Sequence, residues 1–285
     1  MYDELLPPVE ARFSAGVGKV LMLGMVPTVT PPDVPKLAKY LRAGKGAPLP
    51  PKVDYTAKAM AALRRMYLND RYGCCVIADK YHQLGVRGGN DGGQVVTGTD
   101  QEVLDTYTRW KAGPGDSGCN IPDVLTRGVQ TGIVANGVTY KDDGFVSVNN
   151  ANADEVKTAI TLFGTVVLGL NLPESWHQSD DNSDWGPTNS EIIGGHDVLA
   201  CSYDETGVII STWGGLRRIT WPAFTSRTWI TECYAVLAPL WYGDDKIAPS
   251  LAHADALIKD MQTLRDGGLP DLPDAPDEHL DWSAV

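Results

Sequence analysis

The run Asn69-Asp70-Arg71-Tyr72-Gly73-Cys74-Cys75-Val76-Ile77-Ala78 sets a cysteine, Cys75, at the first position of an apolar helical pattern. The free backbone N–H groups at a helix N-terminus favour negative charge, so a thiol there gains thiolate character and Cys75 becomes a candidate nucleophile. A buried free cysteine without a partner is an inert small hydrophobe, so the candidacy depends on a base elsewhere in the chain. Gly194-Gly195-His196-Asp197-Val198 supplies one at the opening of an apolar run. About 120 residues separate His196 from Cys75, close to the roughly 130–150 expected when a catalytic cysteine precedes its histidine. The next strand pattern, Val208-Ile209-Ile210-Ser211-Thr212-Trp213-Gly214, ends in two hydroxyls, and Ser211 or Thr212 is the candidate third group that orients the imidazole.

The order cysteine, histidine, then a polar residue before Trp-Gly resembles that of papain-like cysteine peptidases, and the resemblance extends over about two thirds of the chain in collinear pieces. Leu49-Pro50-Pro51-Lys52-Val53-Asp54-Tyr55 looks like the segment that begins the mature family domain. Asn69 stands where the family has its oxyanion-hole glutamine, and Gly118-Cys119-Asn120, followed by Ile121-Pro122-Asp123-Val124-Leu125, resembles the Gly-Cys-Asn-Gly-Gly motif with its short helix. The resemblance implies catalytic roles for Cys75, His196, Ser211, Thr212 and Asn69. It implies substrate contacts from Gly118, Asn120, Gly194, Gly195 and Trp213. Two departures weaken the inherited chemistry: Val76 replaces an aromatic residue, and Ser211 replaces the asparagine that holds the imidazole. The family disulfide partner of Cys119 is also missing, since Tyr72 stands in its place.

A second resemblance is to a set of bacterial and bacteriophage proteins with Asn-Asp-x-x-Gly-Asp-Cys-x-Ile-Ala, Gly-Gly-His and Thr-Trp-Gly. Asn69 to Ala78 matches it with Cys74 in place of the aspartate, as do Gly194 to His196 and Thr212 to Gly214. This implies a virion component and protein partners bound through residues 1–48 and 266–285.

With 285 residues and 43% hydrophobic content there is material for one sizeable core plus tails. A formal net charge of −12 argues against nucleic acid and anionic membranes as partners, both of which need clustered Lys and Arg. Five cysteines, an odd number with two adjacent, do not resemble a secreted disulfide framework. No Cys-x-x-Cys or histidine spacing suits zinc, Asp180, Asn182 and Asp184 lack the following Glu of a calcium loop, and no cofactor is expected. The N-terminus lacks the basic and apolar regions of a signal peptide, and no apolar run spans a bilayer, which points to cytoplasmic synthesis.

The expected architecture is α+β and papain-like, a helical half that carries the nucleophile followed by an antiparallel β half. Residues 1–48 read as a Pro-rich arm with one short helix near 34–43, residues 49–243 as the domain, and 244–285 as a C-terminal helix with an acidic Pro-rich tail. Within the domain the periodicity predicts helices over 57–67, from Cys75, over 100–111 and from 155. Gly164 stops the last of these, a buried strand follows, and three or four antiparallel strands lie between Glu191 and Leu240. Gly85 to Gly98, with six glycines, reads as a loop. Two functions remain open: a thiol hydrolase of peptide or peptidoglycan amides, or a papain-fold scaffold without activity that serves assembly of a phage particle.

Overall fold

The computed structural model describes residues 14–15, 19–39, 49–91, 93–180 and 183–242, so the expected C-terminal helix and tail lie outside the described residues. It begins with the short strands β1 (Ser14–Ala15) and β2 (Lys19–Val20), an antiparallel pair. An extended strap follows to a 3-10 turn at Leu37–Lys39; of the helix expected near 34–43, residues 34–36 are not helical and Lys36 bridges Ser147 instead, while 40–43 lie outside the described residues.

The helical half comprises β3 (Val53–Asp54), α1 (Met60–Leu63), α2 (Cys75–Asn90), α3 (Asp100–Trp110) and α4 (Ile121–Gln130). The small hairpin of β4 (Ile133–Ala135) and β5 (Val138–Tyr140) closes it. Strand β6 (Gly144–Ser147) and helix α5 (Ala153–Phe163) lead into β7 (Val166–Pro173), α6 (Glu174–His177) and β8 (Asp184–Trp185). Strands β9 (Ile192–Tyr203), β10 (Gly207–Thr212) and β11 (Gly215–Thr220) follow, then α7 (Trp221–Phe224), β12 (Ile230–Leu237) and α8 (Pro239–Tyr242). The main sheet runs β6-β12-β7-β9-β10-β11-β8, with β3 added on β9, and every pairing is antiparallel except β11 with β8.

Local chemistry accounts for the helix boundaries. Thr99 and Glu102 form a reciprocal capping box at the start of α3, and Asn120 and Asn152 cap α4 and α5 through their side-chain oxygens. Gly164, at φ 73°, ends α5 in the left-handed conformation that glycine tolerates best.

Two sequence expectations fail for steric reasons. The helix expected over 57–67 is only a 3-10 turn at Ala57–Ala59 running into α1, because Tyr67 and Leu68 adopt φ values of 49° and 64° and break the pattern. The expected glycine loop from Gly85 belongs in its first part to α2, which continues to Asn90. Helical glycine costs about 0.5–1 kcal/mol relative to alanine, so its presence calls for a close neighbour. A Cβ on Gly85 would lie 2.1 Å from Ala62 Cβ, and one on Gly89 would lie 2.5 Å from the Lys58 carbonyl oxygen. The glycines let α2 pack directly on the segment before it.

Two apolar cores flank a cleft. One joins α5 to the sheet through residues such as Ile160, Leu168, Val198 and Phe224. The other joins α2, α3 and α4 to one another and to β12 through Ile77, Tyr107, Val124 and Tyr234. Helix α2 lies against β9 at the seam, which brings its first residue, Cys75, beside Asp197.

Candidate active site

Cys75 is the first residue of α2, and it borders a small cavity of about 10 Å³ together with Met66, Asn69, Ala78, Asp79, His82, Asp197, Val198, Ser211, Thr212 and Trp213. The thiol is only 2% exposed. Burial raises its pKa and the nearby Asp197 carboxylate raises it further, while backbone N–H groups of Asp197 and Gly24 oppose the shift. The helix N-terminus also favours the thiolate, but dehydration outweighs it in this closed site.

His196 lies on β9 opposite Leu170 of β7. Its Nε2 meets Thr212 Oγ1 at 2.7 Å, and its ring stacks on Trp213 with centroids 4.1 Å apart and planes 11° from parallel. Nδ1 is buried and has no hydrogen-bond partner among the described residues. With a proton on Nε2 donated to Thr212, Nδ1 is left as the basic nitrogen. Burial pushes the imidazole pKa well below its usual value, with His177 and Arg217 adding to the shift, so the ring is neutral.

Trp213 holds this geometry at a conformational cost. Together with Gly214 it forms the two-residue turn between β10 and β11, and its φ of 46° is unusual for a bulky residue. Such backbone strain costs about 1–3 kcal/mol and persists when surrounding contacts over-determine it. Here the indole stacks on His196 and its Nε1 donates to the Met22 carbonyl oxygen at 3.2 Å.

Of the two candidate orienters, Thr212 meets the imidazole and Ser211 does not. Strand alternation turns Ser211 to the other face, where its hydroxyl donates to the Leu63 carbonyl oxygen at 3.1 Å. Asn120 is likewise occupied elsewhere: its side chain caps α4 by accepting from the Asp123 N–H at 2.8 Å. Asn69 does border the cavity with Cys75, and its amide donates to the carbonyl oxygens of Tyr72 at 3.2 Å and Met22 at 3.4 Å.

The cleft is occupied by the chain's own strap. Met22 N–H donates to the Asn69 carbonyl oxygen (3.0 Å), and Met25 N–H donates to that of Gly195 (3.3 Å). Gly24 and Val26 bracket Cys119 in a parallel bridge: Cys119 N–H donates to the Gly24 carbonyl oxygen at 2.9 Å, and Val26 N–H to that of Cys119 at 2.8 Å. Leu23 lies against Gly194, and the Gly24 carbonyl lies over Gly118, so Gly118, Gly194, Gly195 and Trp213 all contact the strap. The contact is close enough that a Cβ on Gly24 would fall 1.8 Å from the Gly73 carbonyl oxygen.

Beyond the cleft, Thr28 donates through its N–H and hydroxyl to the Glu232 carboxylate at 3.0 and 2.9 Å. Ser147 N–H then donates to the Pro35 carbonyl oxygen at 2.8 Å, and Leu37 enters the sheet core. The described part of the arm therefore grips its own domain.

Sequence reasoning did not single out Asp79, Asp197 or His177. Asp79 lies one turn after Cys75 on α2, and Asp197 directly follows His196, so helical spacing and adjacency were the available signals. His177 Nε2 lies 3.3 Å from the Leu21 carbonyl oxygen, and its ring packs edge-on against Trp213. Among the described residues no group of three His, Cys, Asp or Glu side chains is placed to hold a metal ion, and no helix is long and apolar enough to cross a membrane.

The described architecture is that of papain-like cysteine proteases. The fold is similar to xylellain, a cysteine protease from Xylella fastidiosa, with TM-score 0.61 and 17% identity over 75% of this chain and 95% of that one. It is also similar to procathepsin B S9 from Trypanosoma congolense, with TM-score 0.58 and 13% identity over 76% of this chain and 86% of that one. A digestive procathepsin L 3 from Tenebrio molitor larval midgut matches with TM-score 0.55 and 13% identity over 72% of this chain and 74% of that one. No protein-family model and no curated protein sequence matches the chain.

Proposed function

We propose that this protein is a thiol hydrolase of the papain type, held latent by residues 21–26. One observation carries the reading: His196 is fixed by Thr212 and Trp213 with Nδ1 buried and unpartnered, on the strand that packs against the N-terminus of the Cys75 helix. A nitrogen kept dry, basic and without a partner costs free energy unless a proton donor is meant to meet it. In the proposed reaction, Nδ1 takes the Cys75 proton and the thiolate attacks an amide carbonyl carbon. The Cys75 N–H and the Asn69 amide stabilise the oxyanion, and the imidazolium returns its proton to the leaving amine.

The strap supports latency, because it covers the nucleophile and takes the Asn69 amide for its own Met22 carbonyl. No hydrogen bond joins Cys75 to His196 in this closed state. Two of the similar proteins are proenzymes by name, which fits a form that waits for release.

The strap also suggests the substrate, an extended peptide with an unbranched apolar side chain. Met25 fills a pocket between two glycines, where a Cβ on Gly169 would lie 2.7 Å from its sulfur and one on Gly195 would lie 2.9 Å from its terminal methyl. Peptidoglycan cross-links are the alternative amide substrate. A second reading, an inactive scaffold that serves in a phage particle, draws support from the neutral thiol in a filled cleft.

Substitution of Gly24 by valine in the full chain separates the readings, since the added side chain has no room against Gly73. Hydrolysis of a fluorogenic peptide amide with methionine or norleucine at the pocket position should appear in Gly24→Val and vanish in Gly24→Val/Cys75→Ser. No hydrolysis by Gly24→Val, with the strap shown to be protease-sensitive and the domain still folded, would favour the scaffold.

A further inference from the structure

The strap threads a slot between two backbone segments, one leading into Cys75 and the other into Cys119. A Cβ on Gly118 would fall 2.2 Å from the Gly24 carbonyl oxygen, and one on Gly73 would fall 2.9 Å from the Leu23 carbonyl oxygen. All five cysteines are free, so no disulfide holds the two segments together. Hydrogen bonds join them instead. The Asp116 carboxylate accepts the Gly73 N–H on both oxygens, at 3.0 and 3.1 Å, and its Oδ1 also accepts the Tyr107 O–H. The Tyr107 oxygen in turn accepts the Gly118 N–H at 3.0 Å.

We propose that Asp116 is a positioning residue, with Tyr107 as its relay: the two fix the separation of Gly73 and Gly118, and with it the place of the Cys75 thiol and the width of the slot beside it. Gly73 is followed directly by Cys74, the residue that precedes α2, so a shift of the Gly73 peptide passes to the first turn of the helix and to the Cys75 N–H. A misplacement of about 1 Å at a reacting group can cost roughly 10²-fold in rate.

The bridge is built as a fixed spacer. Tyr107 is fully buried on α3, and burial together with the Asp116 carboxylate raises its pKa, so the phenol keeps the proton that it donates. Hydrogen bonds to a carboxylate are stronger than bonds between neutral groups. The loop that carries Asp116 also closes on itself: the Gly118 carbonyl oxygen accepts the Ala112 N–H at 2.8 Å, and the Ser117 hydroxyl both accepts the Gly113 N–H at 2.7 Å and donates to the Gly113 carbonyl oxygen at 2.8 Å. Gly73 and Gly118 are both buried, so an N–H of either left without its acceptor would be costly, and loss of the bridge should let the walls of the slot part.

The kinetic part of this inference rests on the hydrolase reading, and the exchange part does not. In the full chain, amide hydrogen exchange resolved at Gly73 and Gly118 should quicken about tenfold at both glycines in Asp116→Ala and in Tyr107→Phe, and the double variant should be no faster than the quicker single one. Asp116→Asn keeps an Oδ1 acceptor for both donors and should stay near the native rates. In the Gly24→Val background, Asp116→Ala should lower kcat by about tenfold to 10²-fold with KM changed less, and Asp116→Asn should recover most of it. A residue that served stability alone would lower the unfolding midpoint and leave kcat of the folded chain unchanged. Gly118 exchange that ignores Asp116→Ala, additive single effects, or an unmoved kcat in a hydrolysing chain would overturn the proposal. Should Asp116→Ala fail to fold, Tyr107→Phe decides, because its hydroxyl reaches Gly73 only through Asp116 and unmoved Gly73 exchange would contradict the relay. Coupled exchange in a chain whose Gly24→Val form hydrolyses nothing would leave the bridge standing and remove the hydrolase reading.

Discussion

On the sheet side of the cleft, His196 has its hydrogen bond to Thr212, its stack on Trp213 and a basic nitrogen left free. On the helix side, Cys75 is dehydrated, faced by the Asp197 carboxyl and covered by the Gly24 backbone. The imidazole is held in place by its neighbours and the thiol is kept covered and neutral. The contrast has a structural origin. The His196 wall is built from neighbouring strands of one sheet, whose register fixes it, whereas the Cys75 wall depends on a helix end and on a strap that, in the proposed function, leaves for substrate to enter. Preorganisation therefore belongs to the sheet and control belongs to the helix side.

The sharpest break of that contrast is removal of the base. In a Gly24→Val background, His196→Ala should lower peptide hydrolysis by about 10²–10⁴-fold, the usual range for a positioned general base. The next effect is release itself: Gly24→Val should raise the rate of Cys75 alkylation about tenfold or more, since a population shift of that size needs only about 1.4 kcal/mol against the closed strap. Thr212→Val should lower kcat by about tenfold with KM little changed, because loss of a buried hydrogen bond on the order of 1–1.5 kcal/mol frees the imidazole rather than the substrate. Thr212→Asn should retain more activity than Thr212→Val.

A pH measurement sharpens the same comparison. Asp79 keeps its proton in the folded chain up to about pH 7, while an unfolded aspartate loses it near 4, so the folded state binds more protons in between. The stability contributed by this group is full below about pH 4 and is lost as pH rises through about 7. Denaturant titrations across that window should therefore show a decline in the native chain that is flattened in Asp79→Asn. His82 works in the opposite direction: burial lowers its pKa to about 4, so its contribution is lost as pH falls from the usual histidine range through 4. The smallest effect is expected from Ser211→Ala, a stability loss of about 1 kcal/mol by calorimetry from the broken bond to Leu63.

The fold was legible where local signals were strong. The apolar run from Cys75, the helix over 100–111, the glycine stop at Gly164 and the alternation from Glu191 onward all became the elements they suggested. Periodicity misled where backbone-to-backbone closeness decides the conformation. Gly85 and Gly89 look like loop residues until α2 is packed against Ala62 and Lys58, and residues 64–67 look helical until Tyr67 and Leu68 turn into the left-handed region. In the site, residue type and chain order pointed to Cys75, His196 and Thr212. Strand alternation was needed to separate Thr212 from Ser211, and tertiary pairing was needed to see the strap in the cleft. Asp79 and Asp197 were invisible because nothing in one dimension tells that two acids on different elements will be buried along one cavity.

The most direct test of the proposed Cys75–His196 pair is the pH dependence of Cys75 alkylation by a small haloacetamide. It should compare the native chain, Gly24→Val and Gly24→Val/His196→Ala, with Cys74 replaced by serine throughout. Slow labelling of the native chain is expected. Labelling of Gly24→Val should be fast, with a lower midpoint that disappears when His196 is removed. Equal rates in the native chain and Gly24→Val, or labelling of Gly24→Val that ignores His196, would contradict the account.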